Sequence, residues 1–371
     1  MLLILFSIVF SEFLINGYCA EKNDFYSSMV RVTFKAGHSL ESHTVQTKDG
    51  YLLTIHRIPG PSGSTPIFLQ HGILGSSDSW ILTGSDSLAI TLANLKYDVW
   101  LGNSRSSVYC KSHSVYKNTD EKFWNYSFHE VGTQDLPAML NYVANYTGKK
   151  IIYIGFSMGT TSFFVMASEK PEMSANISLA FALAPVAFMN HLKIPNIKFV
   201  FKDSWISSFI FGHKSFGANS GWNVFPFKNK LSSMISHCSN NHIKSKYRSR
   251  VIRQSFGTAS VKTIRHLAQQ RQTGKFRQYD YDPRNLEIYN STYPPEYNIS
   301  RIQIPMVLIV SKGDVFSTPS DVEDLEELLP NVYKNILVDH KNFCHYDFMY
   351  GRHAQEYVYN QIVEILETFK N

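Results

Sequence analysis

A serine flanked by glycines is the first feature of this 371-residue sequence whose setting suggests chemistry. Ile151 to Ile154 has the pattern of a buried strand and leads into Gly155-Phe156-Ser157-Met158-Gly159, after which Thr160 to Ser168 has a helical pattern. A Gly-x-Ser-x-Gly turn between strand and helix is too tight for side chains at the glycine positions, and it presents a strained serine above the sheet edge. The pattern predicts that Ser157 is a nucleophile; the alternative is an ordinary glycine-rich turn.

A serine nucleophile needs a histidine to take its proton and an acid to hold that histidine. Asp314 follows the predicted buried strand Pro305 to Val310, although an aspartate there could also be a simple turn residue. Two histidines follow the next predicted strand. His340 lies so close to that strand that we expect it to be pinned to the sheet, whereas His345 lies on a loop able to reach Ser157. We therefore predict Ser157, Asp314 and His345 as the catalytic residues and prefer His345 to His340.

The oxyanion of an acyl-transfer intermediate needs hydrogen-bond donors, and backbone N–H groups are the usual ones. Met158, directly after the serine, supplies one from the start of a helix. The second is expected from the loop after an earlier strand, in Leu69-Gln70-His71-Gly72-Ile73-Leu74, where the N–H of Ile73 is best placed. His71 could be a base or a metal ligand, but its position ahead of the other catalytic residues favours a structural role.

These residues are embedded in an alternation of strand and helix patterns that is typical of a mostly parallel sheet. Glu41 to Arg57 is expected to form a hairpin about Lys48-Asp49-Gly50. Further strands are predicted at Pro66–Gln70, Tyr97–Leu101, Ile151–Ile154, Leu179–Ala184, Pro305–Val310 and Asn335–Val338, all of them short apolar runs. Helices are predicted at Asp86–Leu95, Phe128–Tyr146 with Gly148 as its C-terminal stop, Thr160–Ser168 and Ala354–Phe369.

The alternation is interrupted between Pro185 and Ile304, so we predict an inserted, mainly helical cap at 185–304 between core segments 21–184 and 305–371. From Phe188 to Gln303 the chain carries 18 Lys and Arg against 5 Asp and Glu, while the whole chain has a net charge of +6. Such a basic module could face nucleic acid or an anionic lipid surface, and no nucleic-acid motif supports the former.

Other classes are excluded by composition and motifs. With 44% apolar and 18% charged residues, 20 Gly and 14 Pro, the chain is neither collagen, nor a coiled coil, nor wholly disordered. There is no metal-ligand spacing, phosphate-binding Walker loop or dinucleotide fingerprint, so we expect no metal and no cofactor. No obligate protein partner is inferred.

The N-terminus suggests the secretory route. Residues 2 to 10 form an apolar run of signal-peptide length, so we expect a signal peptide at 1–20, cleaved after Cys19 or Ala20, with an uncleaved anchor as the alternative. Five Asn-x-Ser/Thr sequons agree with this route and are expected to be glycosylated: Asn125, Asn145, Asn176, Asn290 and Asn298. Cleavage would leave three cysteines, Cys110, Cys238 and Cys344, of which at least one must be unpaired.

Several stretches of the chain resemble the acid lipase family, which comprises the gastric and lysosomal acid lipases and their insect relatives. The matching stretches are Thr47–Leu53, Arg57–Pro59, Phe68–Leu74, Tyr97–Arg105, Gly155–Thr161 and His345–Phe348, of which Asp98-Val99-Trp100-Leu101-Gly102-Asn103-Ser104-Arg105 is the most specific. The resemblance implies an α/β-hydrolase core with a mostly parallel central sheet under a lid-bearing cap. It also implies the catalytic roles of Ser157, Asp314 and His345 and the oxyanion roles of Ile73 and Met158.

Two departures from the family pattern matter. The family elbow usually reads Gly-His-Ser-Gln-Gly, whereas Phe156 and Met158 stand here; the oxyanion donor is a backbone N–H, so the substitution makes the pocket more apolar without removing catalysis. Mammalian members carry a disulfide within the cap, where this chain has only Cys238, so we expect that bridge to be absent.

The resemblance implies hydrolysis of triacylglycerols or cholesteryl esters at a lipid surface by a secreted enzyme, or a lysosomal one. The cap holds aromatic residues that could line an acyl pocket, form an amphipathic lid or simply fill the cap core: Phe199, Phe201, Trp205, Phe209, Phe211, Trp222, Phe225 and Phe227. Two other interpretations stay open, a carboxylesterase that acts on soluble esters and a catalytically inactive hydrolase that binds lipid.

Overall fold

The computed structural model describes residues 26–105, 107–192, 215–217, 242–247 and 257–369. The predicted signal peptide, Cys238 and the eight aromatic residues of the cap lie outside these ranges. Among the described residues, none of the helices combines the length and the hydropathy that a bilayer-spanning segment requires.

A large sheet forms the centre of the described structure. Its strands are β1 (Glu41–Gln46), β2 (Tyr51–Ile58), β3 (Pro66–Gln70), β4 (Asp98–Gly102), the short β5 (Ser112–His113), β6 (Ile151–Phe156), β7 (Ile177–Leu183), β10 (Met306–Ser311) and β11 (Val332–Val338). The spatial order is β1-β2-β4-β3-β6-β7-β10-β11, with β5 paired to β2. Strand β2 pairs antiparallel with β1, β4 and β5. All the other pairs in this spatial order, from β4–β3 to β10–β11, are parallel. The predicted mostly parallel sheet is therefore confirmed.

The inner strands read as continuous apolar runs because both of their faces are buried. Every residue of β3, β4, β6 and β10 is buried. The prediction of a buried strand at Asn335–Val338 was wrong: β11 is longer and mostly exposed. Among the described residues it pairs with β10 alone, at the end of the sheet, so its side chains are less covered than those of the inner strands.

Helices connect the strands. The α-helices of four or more residues in the described ranges are 26–35 (α1), Leu88–Asn94 (α2), Leu136–Thr147 (α3), Met158–Glu169 (α4), Val261–Thr273 (α5), Asn285–Tyr289 (α6), Pro319–Leu328 (α7), Asp347–Tyr350 (α8) and Asn360–Phe369 (α9). The predicted end of α3 is confirmed, because Gly148 adopts a left-handed φ of 66° and its N–H donates to the carbonyl of Ala144. A π-helical turn precedes α3 and another precedes α9.

The described parts of the predicted cap pack closely against the core. Strands β8 (Ser215–Gly217) and β9 (Thr258–Ser260) form a two-stranded antiparallel pair. In α5, the buried ring of His266 stacks on Phe128 at a centroid distance of 3.9 Å and lies 3.0 Å from the Ser127 hydroxyl through its Nδ1. The segment from Thr258 through α5 is thus fixed to the core segment that precedes α3.

The two described cysteines differ. Cys110 is a buried thiol whose sulfur accepts the N–H of Thr54 at 3.2 Å. Cys344 is in a disulfide bond. The half-cystine next to His345 is thus anchored covalently, an attachment that the sequence left open.

Candidate active site

The serine turn has the geometry that the glycine pattern predicts. Ser157 lies between β6 and α4 with φ 53° and ψ −122°, a left-handed conformation that costs energy for a residue with a side chain. A Cβ at Gly159 would lie 2.5 Å from the carbonyl oxygen of Gln70, so only glycine lets α4 approach the end of β3. The N–H of Ser157 donates to the Leu183 carbonyl at 3.0 Å, which fixes the turn to β7.

The structure brings together the three residues predicted for catalysis. His345 Nε2 lies 2.8 Å from Ser157 Oγ, and His345 Nδ1 lies 2.7 Å from Asp314 Oδ2. Asp314 is completely buried, and its other oxygen accepts the N–H groups of Phe316 and Ser317 at 2.8 and 3.1 Å. These bonds orient the carboxylate, so Nδ1 of His345 carries a proton toward Asp314 and Nε2 is left to face the serine.

The loops that carry Asp314 and His345 are joined to each other. The Ser311 hydroxyl donates to the carbonyl of Phe343 at 2.7 Å and accepts the Gly313 N–H at 3.1 Å. A Cβ at Gly313 would lie 2.7 Å from the carbonyl oxygens of both Lys341 and Phe343. Glycine is therefore required where the two loops touch.

His340, the alternative candidate for the base, does not contact Ser157 or Asp314. Its Nδ1 accepts the N–H of Asn342 at 3.3 Å, and its ring lies beside Tyr357 at 5.8 Å. The ring of His345 instead lies beside the rings of Phe156 and Phe316, at centroid distances of 4.9 and 5.0 Å. An apolar elbow residue therefore packs directly on the candidate base.

The loop after β3 lies against the serine, as the predicted oxyanion site requires. A Cβ at Gly72 would lie 3.1 Å from the Cβ of Ser157, so the backbone next to Ile73 passes directly beside the nucleophile. Met158 is the first residue of α4, where an N–H has no carbonyl partner within the helix. Apart from hydrogen bonds within helices and strands, the N–H groups of Ile73 and Met158 donate to no backbone carbonyl in the described part of the chain.

His71 supports this loop rather than reacting. Its Nε2 accepts the N–H of Ser104 at 3.1 Å, so Nδ1 must carry the proton, which it donates to the Gly72 carbonyl at 2.7 Å. Burial lowers the pKa of His71 to about 4. The neutral ring thus links the loop after β3 to the loop after β4, in the structural role that the sequence favoured.

A buried ion pair that sequence reasoning did not anticipate stabilises the loop after β4. Arg105 contacts Asp135 through Nε and Nη2 at 2.8 and 2.7 Å, and its Nη1 lies 2.7 Å from Asp49. Its guanidinium also stacks over the Tyr51 ring at 3.9 Å. The Ser-Arg pair at the end of the family-specific stretch was the available signal, but the sequence does not reveal its partners.

A second unpredicted group is the buried carboxyl of Asp78, in the turn that follows the loop of His71. It accepts the Ser76 hydroxyl at 2.8 Å, and a hydrogen bond joins it to Tyr109. Burial raises the pKa of Asp78 to about 6, against which these hydrogen bonds act only in part. Asp78 is thus a carboxyl held in an environment that favours its neutral form.

Two side-chain groups in the described ranges have donor atoms close enough together to hold a metal ion. The first, His242, Cys344 and Asp347, offers no thiolate because the Cys344 sulfur is in a disulfide bond. The second, His191, Asp321 and Asp324, is largely exposed, and the carboxylate of Asp321 already accepts the Asn190 and His191 N–H groups. Neither group includes a member of the hydrogen-bonded chain from Asp314 to Ser157, and a serine activated by a histidine needs no metal ion.

The five sequon asparagines lie at the protein surface. Asn125, Asn145, Asn290 and Asn298 are exposed, whereas Asn176 is half-buried and its amide donates to Asn141 at 2.7 Å. Glycosylation of these residues stays a prediction.

The comparisons with known proteins agree with this geometry. The model of the "alpha/beta hydrolase fold" family matches residues 65–351, and that of the "partial alpha/beta-hydrolase lipase region" matches residues 31–84. The chain therefore belongs to the alpha/beta hydrolase family, as its resemblance to the acid lipases implied.

Relatives within this family are lipases. Lipase 3 of Drosophila melanogaster is 33% identical, over 90% of this chain and 91% of its own. Human gastric triacylglycerol lipase is 34% identical, over 90% of this chain and 89% of its own. The crystal structure of lip1 from Acinetobacter baumannii AYE shares the fold, with a TM-score of 0.57 and 16% identity over 93% of this chain and 96% of its own. The chain is thus an ester hydrolase of the lipase type.

Proposed function

We propose that this lipase hydrolyses carboxylic esters of neutral lipids through an acyl-enzyme formed on Ser157. The observation that carries the proposal is the continuous hydrogen-bond chain from Asp314 through His345 to Ser157, with distances of 2.7 and 2.8 Å. This chain lies at the edge of the sheet where the parallel strands end, beside backbone N–H groups suited to an oxyanion.

In the first step, the Ser157 hydroxyl oxygen bonds to the ester carbonyl carbon while His345 Nε2 takes its proton. The carbonyl electron pair moves to oxygen, where the N–H groups of Ile73 and Met158 stabilise the negative charge. The bond to the alcohol then breaks, and the alcohol leaves with the proton from His345. Water attacks the acyl-enzyme in the same way and releases the fatty acid, while Asp314 orients the imidazole and stabilises its positive charge.

The substrate class is proposed from the apolar surroundings and the relatives. Phe156 and Met158, which flank the serine, are buried apolar residues, and the Phe316 ring lies 5.0 Å from the ring of His345. Such a site favours a long acyl chain over a charged substrate. One relative, human gastric lipase, is named for triacylglycerol, so triacylglycerol is the first substrate to test and a cholesteryl ester the second.

Contact with a lipid surface is part of the proposal. The excess of Lys and Arg between Phe188 and Gln303 would favour anionic phospholipid or fatty-acid surfaces, by on the order of 1 kcal/mol per basic residue near the surface. A rate that rises sharply once the substrate exceeds its solubility limit is expected of a lipase. A rate indifferent to aggregation would favour a carboxylesterase instead.

The decisive experiment is labelling with a fluorophosphonate probe, followed by hydrolysis of an emulsified long-chain triacylglycerol. Ser157→Ala should lose both labelling and hydrolysis. Ser162→Ala is the matched control, because Ser162 is a buried serine one turn further along α4, and it should retain both. A folded wild-type protein that is not labelled, yet binds fatty acyl ligands, would overturn the enzymatic proposal in favour of lipid binding.

We also infer passage through the secretory route and release from the cell, with the lysosome as the alternative destination. The N-terminal apolar run and the five sequons support this inference. Expression in a eukaryotic cell should yield protein in the medium whose mobility increases after enzymatic removal of N-glycans. Retention of unglycosylated protein in the cytosol would contradict it.

A further inference from the structure

A short part of the predicted cap, residues 242–247, docks on the chain directly after the candidate base. His242 Nδ1 lies 2.6 Å from Asp347 Oδ2, and Asp347 is the first residue of α8. The Arg352 N–H donates to the His242 carbonyl at 2.7 Å, and Ile243 forms an antiparallel bridge with Gly351. This contact is specific, since it combines backbone pairing with a charged side-chain hydrogen bond.

The carboxylate of Asp347 also closes the turn that carries His345. The same oxygen, Oδ2, accepts the Cys344 N–H at 2.7 Å, while the Asp347 N–H donates to the Cys344 carbonyl at 2.9 Å. These two bonds span residues 344 to 347 and therefore enclose His345. The orientation of the Asp347 side chain thus sets the position of the backbone on both sides of the imidazole.

His242 fixes that orientation from a different part of the chain. The Asp347 side chain is only 3% exposed, whereas that of His242 is 25% exposed. A buried carboxylate that loses one of its donors can rotate or attract water, and a small displacement of a catalytic group is costly. A single cap residue, His242, can therefore influence the position of His345 through Asp347.

We propose that His242 is a positioning residue for ester hydrolysis, which acts through Asp347 on the turn that carries His345. The proposal rests on the proposed function, since it concerns the base of that reaction. His242 does not touch the substrate, and its effect is on the rate of the chemical step rather than on substrate binding.

The test compares three variants of the full chain. His242→Ala removes the donor. His242→Asn restores an N–H near the position of Nδ1. Lys244→Ala is the matched control: Lys244 belongs to the same segment, but it pairs with Asp86, at 2.7 Å, and not with the turn of His345.

The readouts are the rate constant for phosphonylation of Ser157 by a fluorophosphonate, in which fluoride leaves, and kcat and KM on a short, soluble ester. We expect His242→Ala to slow phosphonylation and lower kcat by roughly 10- to 100-fold with little change in KM. His242→Asn should recover most of the rate, and Lys244→Ala should resemble wild type.

Folding of the variants can be checked separately. His242 and Asp347 line a cavity of about 270 Å³ with His340 and Phe343, so truncation of the imidazole enlarges an existing space rather than creating a closed void. Circular dichroism and the fraction of protein labelled at completion report on the folded population.

Two results would overturn the proposal. One is an unchanged rate of phosphonylation in His242→Ala. The other is an equal loss in His242→Ala and Lys244→Ala, which would mean that the segment matters only as a docked element. Failure of the proposed function would look different, because the wild-type protein itself would then remain unlabelled.

Discussion

Arg105 Nη2 lies 2.7 Å from Asp135 Oδ1, and both side chains are almost completely removed from solvent. The ion pair anchors the loop after β4. The Ser104 N–H of this loop donates to His71, in the loop after β3, so the ion pair supports the backbone beside the nucleophile. A charge at this depth is tolerated only with its partner, because the desolvation of a single buried ion is expensive.

Removal of one charge of this ion pair should therefore destabilise the folded protein strongly. Asp135→Ala is expected to lower the free energy of unfolding by about 3–5 kcal/mol, since it leaves Arg105 buried with only the half-exposed Asp49 as counter-ion. Urea unfolding followed by circular dichroism measures the change. The double variant Arg105→Met/Asp135→Leu removes both charges and should therefore lose less unfolding free energy than Asp135→Ala alone. If the unfolding free energy of Asp135→Ala were within about 1 kcal/mol of the wild-type value, the pair would not govern stability.

Asp78 should make stability depend on pH. Because burial raises its pKa to about 6, the folded protein keeps this proton between roughly pH 4 and pH 6 while the unfolded chain releases it. The contribution of Asp78 is thus present below about pH 4 and is lost as pH rises to 6, by about 3 kcal/mol in total.

The variant Asp78→Asn cannot titrate and should show a flatter profile. The measurement is the difference in unfolding free energy between pH 4 and pH 7, in wild type and variant. Parallel profiles for the two proteins would contradict an elevated pKa at Asp78.

His71 should remain neutral under mildly acidic conditions. Its Nε2 accepts a backbone N–H and its pKa is lowered to about 4, so the ring should keep a single tautomer with the proton on Nδ1. In ¹⁵N-histidine NMR spectra, assigned with His71→Gln, the ring nitrogens should not shift between pH 8 and pH 5. An ordinary histidine titrates near pH 6.5, so a midpoint in that range would refute the assignment.

Gly313 should be intolerant of a side chain. Gly313→Ala places a methyl group 2.7 Å from the backbone oxygens of Lys341 and Phe343, which must separate the loops of Asp314 and His345. We expect kcat on a soluble ester to fall by on the order of 100-fold. Gly148→Ala is the control, because it adds strain of about 1–2 kcal/mol at a helix end with open space around it and should leave kcat unchanged.

The sequence predicted best what local pattern encodes. The apolar run of β6 and the glycines around Ser157 specify a strand, a turn and a helix within about twenty residues, and the structure has them there. The preference for His345 over His340 followed from loop length, and His345 is the histidine within hydrogen-bond distance of Ser157.

Contacts between distant segments were beyond such reasoning. Asp135 lies 30 residues from Arg105, and Asp347 lies 105 residues from His242. Nothing in the sequence around Arg105 or His242 indicates these partners. The exposure of β11 was mispredicted for a related reason: whether an apolar run is central or peripheral depends on the strand order, and the terminal place of β11 is fixed by the whole topology.

That terminal place has a consequence for how the protein loses activity. Ser157 follows β6, which pairs on both sides, whereas His345 follows β11, which pairs on one side only within the described part of the chain. Fraying begins where backbone amides are least protected, and an edge strand opens at a lower free energy than the centre of a sheet. Amide hydrogen exchange should therefore be faster in β11 than in β6, and on gentle warming the protein should stop turning over substrate while most of its sheet is still intact.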